Sequence, residues 1–543
     1  MNQLHFADYA VFFCYFILVS GYGLYVYHRR KSVQMNSREF FLAEGSLTWW
    51  AIGASLIASN ISAEHFIGMS GSGFALGLAI STYEWMAAAT LIIVAVFFLP
   101  VYLKNKIYTM PQFLEVRYNA TVSTIMAVFW LLVYVFVNLT SIIYLGALAI
   151  NAISGISFLF CVVGLALFSI VVTLGGMKVI GYTDVVQVAV LIMGGLVTTY
   201  LALNMVSEHF GFGENVIIGA QLMHEKANTH FHMIFDSSHR YYSDLPGLSV
   251  LLGGMWINNL NYWGCNQYII QRALGADLKT ARNGILFAAF LKLLVPVIAV
   301  LPGIAAYVLY QEGLFQAEMV NEAGVVKPDH AYPTLLNLLP AGLKGLAFAA
   351  LTAAIVASLA GKANSIATIF SLDIYKKYFH RTATEKQLVL TGRWTVIISM
   401  VVASLVAPAL SNLEQAYQFI QEYVGFISPG VLAIFLMGFF WTRTTSAAAL
   451  TAALLTIPLS TLLKYLPYWT AGAFPDYPFL DRMSIVFVVL IILMVVISIT
   501  DRRAAHQHAV IKIDTSLFRT SPSFVVGSVL ILGILTALYT IFW

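Results

Sequence analysis

The sequence predicts an all-α polytopic membrane protein with about 14 transmembrane helices, on the evidence of its composition and of its long apolar runs. Of the 543 residues, 60% are hydrophobic and 10% are charged, and the mean hydropathy is +0.82. Soluble domains carry about 25% charged residues, so a soluble enzyme of this length is excluded. At about 20 residues per span, the chain has room for about 12 to 15 spans and for no large extramembrane domain.

Apolar runs of membrane-crossing length follow one another along the whole chain. Runs this long and apolar satisfy their backbone hydrogen bonds as helices, and the ten-residue alternation of a transmembrane barrel is missing from the sequence. The predicted spans are 8–27, 47–72, 76–103, 123–151, 157–175, 183–205, 246–270, 283–310, 341–375, 390–411, 413–440, 445–465, 483–500 and 523–543.

The distribution of lysine and arginine predicts the orientation of these spans. With alternate connections placed on opposite sides, one side receives about 21 cations and the other about six. Loops on the cytoplasmic side are enriched in these residues, so the richer side is cytoplasmic. The first span has no basic residue before it and reads as an uncleaved helix. An even number of spans then places both termini on the outer side.

Two predicted spans are unusually polar at the depth of the bilayer. The second contains Ser59, Asn60, Ser62, Glu64 and His65, and the seventh contains Asn258, Asn259, Asn261 and Tyr262 among three glycines. Polar residues this dense are tolerated where they line a cavity or a broken helix. Ordinary hydrogen bonding between helices is the alternative explanation.

The two polar spans lie about 200 residues apart, and each opens a block of five spans with the opposite starting direction. This arrangement is typical of transporters built from two inverted repeats, which bind substrate and ion near the membrane midplane. The sequence therefore predicts four segments. They are an additional span and cytoplasmic loop at 1–46, a first repeat at 47–205, a second repeat at 246–440, and three additional spans at 441–543.

Charged residues inside the spans indicate the kind of solute. Glu84 offers an acceptor and Lys292 a donor, and Asn60, Asn259 and Gln421 add amides that hydrogen-bond in defined directions. These groups suit a neutral polyhydroxylated solute better than a carboxylated one. The neighbouring aromatic residues Tyr262 and Trp263 would cover the C–H surfaces of a sugar.

Several strings resemble the sodium:solute symporter family, and most closely its sodium/sugar branch, including bacterial members that transport galactose. They are SLIASNISAEHFIGMSGSG, YEWMAA, YWGCNQYIIQR, FLKLLVPVIAVLPGIAAY, NSIATIFSLDIY and FIQEYVGFISPG. The resemblance extends over essentially the whole chain. It implies a LeuT-like core of two inverted five-helix repeats with discontinuous helices, Na+ as the coupling ion, and residence in the bacterial plasma (inner) membrane.

Position by position, the resemblance implies a set of sugar contacts. These are Asn60, His65, Glu84, Asn259, Lys292 and Gln421, with Tyr262 as a stacking inner gate. His65 stands where the galactose-transporting members have glutamine, and Ala87 replaces a polar residue expected one turn after Glu84. The preferred sugar therefore does not follow from the sequence.

The resemblance also implies a sodium site between the break in the second span and the ninth span. Its ligands would be the carbonyl groups of Ala58, Ile61 and Ala354 and the hydroxyl of Ser358. The family carries an adjacent pair of serines where this chain has Ala357 and Ser358, so one hydroxyl ligand is missing.

Lys362 lies four residues after Ser358, on the same helix face. Asp184, at the start of the sixth span, is implied to lie on the sodium exit route. Our hypothesis from the sequence is that Lys362 pairs with Asp184 and weakens or partly replaces sodium binding. The alternative is a lysine in an aqueous vestibule that leaves the coupling unchanged.

The sequence thus predicts a sodium-coupled symporter that imports a neutral, galactose-like or glucose-like sugar by alternating access. The alternatives within transport are inositol, sialic acid, an amino acid or a carboxylate, and a channel or membrane sensor is a more distant one. No enzymatic activity and no nucleic-acid partner are expected. The oligomeric state stays open, with a homodimer as one alternative.

Overall fold

The computed structural model describes residues 4–29, 37–42, 47–320, 324–412, 416–501 and 514–543. Of the described residues, 81% are helical, and they contain a single isolated β-bridge, between Val320 and Val326, and no strand. The all-helical fold class is therefore confirmed. The predicted cytoplasmic cations Arg30 and Lys31, and those at 502–512, lie outside the described residues.

Twelve helices form the first part of the chain. They are α1 (Phe6–Arg29), α2 (Ser37–Leu42), α3 (Trp49–Asn60), α4 (Ser70–Leu76), α5 (Thr82–Ile93), α6 (Leu99–Lys104), α7 (Met110–Arg117), α8 (Ala120–Val133), α9 (Thr140–Ser154), α10 (Phe158–Thr173), α11 (Gly176–His209) and α12 (Val216–Lys226). Wider π-helical turns lead into α4, α6 and α9, at Glu64–Met69, Val94–Phe98 and Tyr134–Leu139.

Thirteen helices form the second part. They are α13 (Gly247–Leu252), α14 (Gly254–Gly264), α15 (Gln267–Leu274), α16 (Leu278–Lys292), α17 (Val295–Gln311), α18 (Ala331–Leu338), α19 (Leu343–Ile369), α20 (Glu385–Val406), α21 (Ala416–Gly425), α22 (Ser428–Phe440), α23 (Ser446–Trp469), α24 (Phe479–Thr500) and α25 (Pro522–Ile541). A π-helical segment, Phe370–Phe379, extends α19.

Within the described residues, eleven helical stretches are long and apolar enough to cross a membrane. Three predicted spans have no stretch of their own among these eleven. The span at 47–72 is divided between α3 and α4, the span at 246–270 is divided among α13, α14 and α15, and the span at 157–175 is the 16-residue helix α10. The multi-pass architecture is confirmed, and the count of 14 stays a prediction.

The divided second span packs along its length against α16 and α17. Glycines allow this close approach at both ends. A Cβ at Gly53 would lie 2.7 Å from the carbonyl oxygen of Gly284, and a Cβ at Gly303 would lie 2.0 Å from the carbonyl oxygen of Ser70. Neither position has space for a larger residue, so these helices form one tightly joined unit.

Helix α19 lies at the centre of the molecule, against α1, α3, α9, α10, α11 and α20. Its approach to α3 and α15 requires a glycine. A Cβ at Gly361 would lie 2.3 Å from the Arg272 guanidinium and 2.7 Å from the hydroxyl of Ser59. Polar side chains on α19 therefore face other protein groups rather than lipid.

Candidate functional site

The break in the second span is a local change of backbone conformation at Ile61. Ile61 is extended (φ −71°, ψ 123°), and its amide makes the last helical bond of α3, to the carbonyl of Ile57. The next amide, of Ser62, turns to the Nδ1 atom of His65 at 3.4 Å. The carbonyl of Ala58 thus loses its usual donor and becomes available to a ligand.

The seventh predicted span is interrupted at two points. Gly253 separates α13 from α14, with φ −127° and ψ −112°, and Cys265 and Asn266 separate α14 from α15. The last turn of α14 carries Tyr262 and Trp263, so both aromatic rings are placed beside the second interruption. Discontinuous helices in both polar spans thus flank the same interior region.

A charged network joins the two divided spans. Lys292, the last residue of α16, donates to the carboxylate of Glu84 and to the amide oxygen of Asn60. The other oxygen of Glu84 lies 3.3 Å from His65 Nε2. The amide nitrogen of Asn60 donates to the hydroxyl of Tyr262 at 2.9 Å. The Lys292 side chain is fully buried, so this pairing is what keeps the charge tolerable inside the membrane.

These residues border a partly open cavity of about 90 Å³. The cavity is lined by all eight residues predicted to contact sugar, namely Asn60, His65, Glu84, Asn259, Tyr262, Trp263, Lys292 and Gln421. Asn259 is buried, and its amide nitrogen has no hydrogen-bond partner within the described protein. A buried donor of this kind is costly unless a ligand satisfies it.

Aromatic rings form one boundary of the cavity. Tyr262 meets Trp263 edge to face at 5.1 Å and Tyr268 at 5.7 Å. The Lys292 ammonium lies 5.0 Å from the ring centre of Trp263, a cation–π contact that adds to its pairing. The cavity thus joins hydrogen-bonding groups to flat apolar faces, which is the combination expected for a polyol.

The predicted sodium ligands lie where the broken second span meets α19. Ala58 and Ile61 are at the end of α3, and Ala354 and Ser358 are one turn apart on α19, all of them buried. The Ser358 hydroxyl donates to the carbonyl of Ser59 at 3.0 Å. Oxygen atoms from both elements therefore converge here; we call this region the ion junction.

The predicted pairing of Lys362 with Asp184 is wrong. Lys362 donates to Ser358 at 2.9 Å and lies 5.0 Å from the ring centre of Tyr268. Asp184 instead accepts a hydrogen bond from Ser55 and lies 3.8 Å from the guanidinium of Arg272. The reason is that α15 places Arg272 nearer to Asp184 than α19 places Lys362.

Two further residues of this region were not among the predicted site residues. Arg272, counted as a cation of a cytoplasmic loop, is only 1% exposed and belongs to the interior. Glu64 lines the cavity and accepts hydrogen bonds from Ser141 at 2.6 Å and from Ser62 at 3.2 Å. The signal for Glu64 was present in the sequence as an acid within the polar second span.

One boundary of the cavity is attached to the C-terminal helices. Gln421 lines the cavity, and its neighbour Glu422 on α21 pairs with Lys464 of α23 at 3.1 Å and with Arg482 of α24 at 2.5 Å. Helices α21 and α22 are separated at residues 426–427. The helix that carries Gln421 is therefore short and ends at a break. The ion pairs of Glu422 attach it to α23 and α24.

Discontinuous helices around a polar interior cavity characterise the fold of this membrane protein. The same fold is found in a solved Na+-coupled sialic acid symporter, in a substrate-bound outward-open state, which matches with a TM-score of 0.76 at 22% identity, covering 92% of this chain and 98% of that one. The sodium:solute symporter family model matches residues 40–456. This chain belongs to the sodium:solute symporter family.

Two relatives place the chain within this family. A sodium/glucose cotransporter of Vibrio parahaemolyticus is 46% identical over 552 aligned positions, covering 100% of this chain and 99% of that protein. A human sodium/myo-inositol cotransporter 2 is 34% identical over 465 aligned positions, covering 81% of this chain and 67% of that protein. The predicted family is confirmed, and transport rather than enzymatic catalysis is the activity of its members.

Proposed function

We propose that this protein couples the inward movement of sodium to the uptake of a neutral sugar by alternating access. The charge balance of the cavity supports this proposal most directly. Four charged side chains line it, two acidic (Glu64 and Glu84) and two basic (Lys292 and Lys362), and their formal charges cancel. A neutral solute preserves that balance, whereas a carboxylated one would add a charge in a medium that poorly stabilises it.

The sugar would join a hydrogen-bond network that exists before it arrives. Glu84 and His65 offer acceptors, Lys292 and the unpartnered amide nitrogen of Asn259 offer donors, and Gln421 would approach from the opposite side. We propose that Tyr262 stacks on the sugar as an inner gate. Rotation of its ring would require the bond from Asn60 to break, which ties gate opening to the sugar network.

Sodium would bind at the ion junction, through the carbonyls of Ala58, Ile61 and Ala354 and the hydroxyl of Ser358. Oxygen ligands from an unwound helix suit a hard monovalent cation. A bound ion would hold the broken second span against α19 and favour the outward-open arrangement. Asp184 would lie on its way to the cytoplasm. One charge moving through 100 mV contributes about 2.3 kcal/mol, enough for a sugar gradient of about fifty-fold.

The proposed topology has 14 spans, obtained when α10 and the two divided spans are counted with the eleven long stretches. The repeats would occupy 47–205 and 246–440, with 1–46 before them and 441–543 after. We propose residence in the bacterial inner membrane with both termini on the outer side. Labelling of single introduced cysteines near each terminus from outside intact cells tests this arrangement. A homodimer stays a prediction, which light scattering of the purified protein measures.

Uptake into proteoliposomes tests the function. We expect radiolabelled glucose or galactose to accumulate against its gradient when sodium is high outside, and accumulation to stop when potassium replaces sodium. Uphill uptake that persists without sodium, or that follows a proton gradient alone, would contradict sodium coupling. Uptake of only sialic acid or an amino acid would contradict the neutral sugar.

Inositol is a second candidate, because the cavity suits any neutral polyol and the inositol cotransporters are relatives. Competition of unlabelled myo-inositol with labelled glucose separates the two. We expect glucose to compete at lower concentration than inositol. The reverse order would assign the protein to inositol without changing the coupling mechanism.

A further inference from the structure

Lys362 is a buried cation at the ion junction, and the residue it hydrogen-bonds to, Ser358, is neutral. The residue is 2% exposed, and its ammonium donates to the Ser358 hydroxyl at 2.9 Å and lies against the Tyr268 ring. No acidic oxygen lies within 4.0 Å of it among the described residues. The chain thus holds a positive charge deep in the protein, against one of the oxygen atoms proposed to bind sodium.

The acids Asp184 and Glu64 have other partners. Asp184 contacts Ser55 and Arg272, while Glu64 accepts from Ser141 and Ser62. Arg272 adds a second positive charge on α15, so the region is not deficient in cations. Lys362 therefore does not serve to neutralise a buried carboxylate by direct contact.

The hydroxyl of Ser358 is both a hydrogen-bond donor and an acceptor. Its proton is donated to the carbonyl of Ser59, and one of its lone pairs accepts from Lys362. A serine hydroxyl binds a metal cation through its lone pairs. The ammonium therefore occupies part of the coordinating capacity of the hydroxyl proposed to bind sodium. Ala357, at the position before it, supplies no second hydroxyl.

We propose that Lys362 acts as a tethered cation that competes with sodium for the oxygen atoms of the ion junction. This inference rests on the proposed function, since it assumes that sodium binds there. The Ser358 hydroxyl links α19 to the carbonyl of Ser59 in the broken second span, and the Lys362 ammonium holds that hydroxyl from the same helix, at the place where sodium would bind. The chain then binds sodium weakly and keeps its sugar cavity partly organised when sodium is missing.

The experiment measures sodium binding to purified protein without sugar, by tryptophan fluorescence, in the wild type and in Lys362→Met. Removing the ammonium frees a lone pair of the Ser358 hydroxyl and takes away a positive charge that would repel sodium. We therefore expect the sodium dissociation constant to fall on the order of tenfold or more. Lys344→Met is the matched control, because Lys344 is also buried on α19 (3% exposed) and lies 18 residues away. We expect no change there.

Sugar binding without sodium supplies a second measurement. We expect the wild type to bind sugar measurably in potassium, and both Lys362→Met and Lys362→Gln to bind it only when sodium is present. The second substitution keeps a polar group, so the proposal stays testable if methionine prevents folding. Unchanged or weaker sodium binding in a folded Lys362 variant overturns the inference.

The two proposals fail in different ways. If wild-type liposomes take up sugar uphill with sodium, but loss of Lys362 leaves the sodium dissociation constant unchanged, the inference alone is overturned. If neither the wild type nor any variant binds sodium or requires it for uptake, the proposed function fails and the inference fails with it.

Discussion

The sugar cavity and the ion junction are adjacent regions, and each contains a buried lysine with a different kind of partner. In the cavity, Lys292 meets the carboxylate of Glu84, so its charge is balanced by a partner. At the ion junction, Lys362 meets a hydroxyl and an aromatic ring. The first arrangement prepares hydrogen bonds for a neutral ligand, and the second places a positive charge where another cation is expected. Affinity for the solute should therefore depend on a preformed network, and affinity for the ion on competition.

The largest effect is expected when the balanced pair is broken. Glu84→Gln leaves the Lys292 ammonium without its carboxylate and removes an acceptor from the sugar network. Breaking a buried pair costs about 3–5 kcal/mol, so we expect sugar affinity to fall more than a hundredfold in equilibrium binding. Glu115→Gln is the control, because Glu115 pairs with Lys377 while 43% exposed. Nearly normal binding by Glu84→Gln would show that the pair is not part of the sugar site.

Substitution of the central hydroxyl of the ion junction separates the two regions. Ser358→Ala removes the bond to Ser59 and the partner of Lys362. Loss of a hydrogen bond to a charged group costs about 1.5–3 kcal/mol, and we expect the half-saturating sodium concentration to rise at least tenfold. Sugar affinity at saturating sodium should stay near the wild-type value in the same uptake assay. An equal loss of sugar affinity would mean that the two regions act as one.

A smaller effect is expected at the gate. Tyr262→Phe keeps the aromatic face and removes the hydroxyl that accepts from Asn60. One neutral hydrogen bond contributes about 1 kcal/mol, so sugar binding should weaken about fivefold, without a change in sodium binding. Tyr465→Phe, at an exposed ring on α23, is the control. A change in sodium affinity alone would place Tyr262 with the ion junction.

The smallest effect concerns the stability of the folded protein and involves Asp244, in the connection before α13. Burial, and then the nearby charge of Glu422, raise the pKa of Asp244 from 3.8 to about 6. A raised carboxyl pKa contributes stability below pH 4 that is lost as the pH rises through 6. We therefore expect Asp244→Asn to raise the melting temperature by a few degrees at pH 7.5 and by less at pH 5. An equal increase at both pH values would exclude this ionisation as the cause.

The sequence predicted the composition of the sugar cavity better than the arrangement of the ion junction. Polar residues within apolar spans are visible in the sequence as exceptions to the hydrophobic pattern, and all eight predicted residues line one cavity. The partner of Lys362 depends instead on the rotation and depth of α15 and α19, which no local pattern specifies. Arg272 illustrates this limit, since an arginine at the end of a span resembles a loop residue until packing buries it.

The breaks were predictable for a similar reason. Glycine and asparagine near bilayer depth indicate where a helix ends, and Ile61 and Gly253 lie within the two polar spans named from the sequence. The π-helical turn at Glu64–Met69 was not predictable. It contains no unusual residue that would indicate a wider turn.

The ion pairs of Glu422 connect solute binding to the ionic strength of the medium. Gln421 borders the cavity, but the next residue is fixed to α23 and α24, which contribute no side chain to the cavity. Salt screens charges on partly exposed side chains over about 8 Å at 0.15 M. Choline chloride, added at constant sodium, should therefore loosen this attachment and shift sugar affinity in the wild type but not in Glu422→Gln. Helices α23 and α24, outside the proposed repeats, would then influence sugar affinity through ion pairs whose strength depends on the salt concentration.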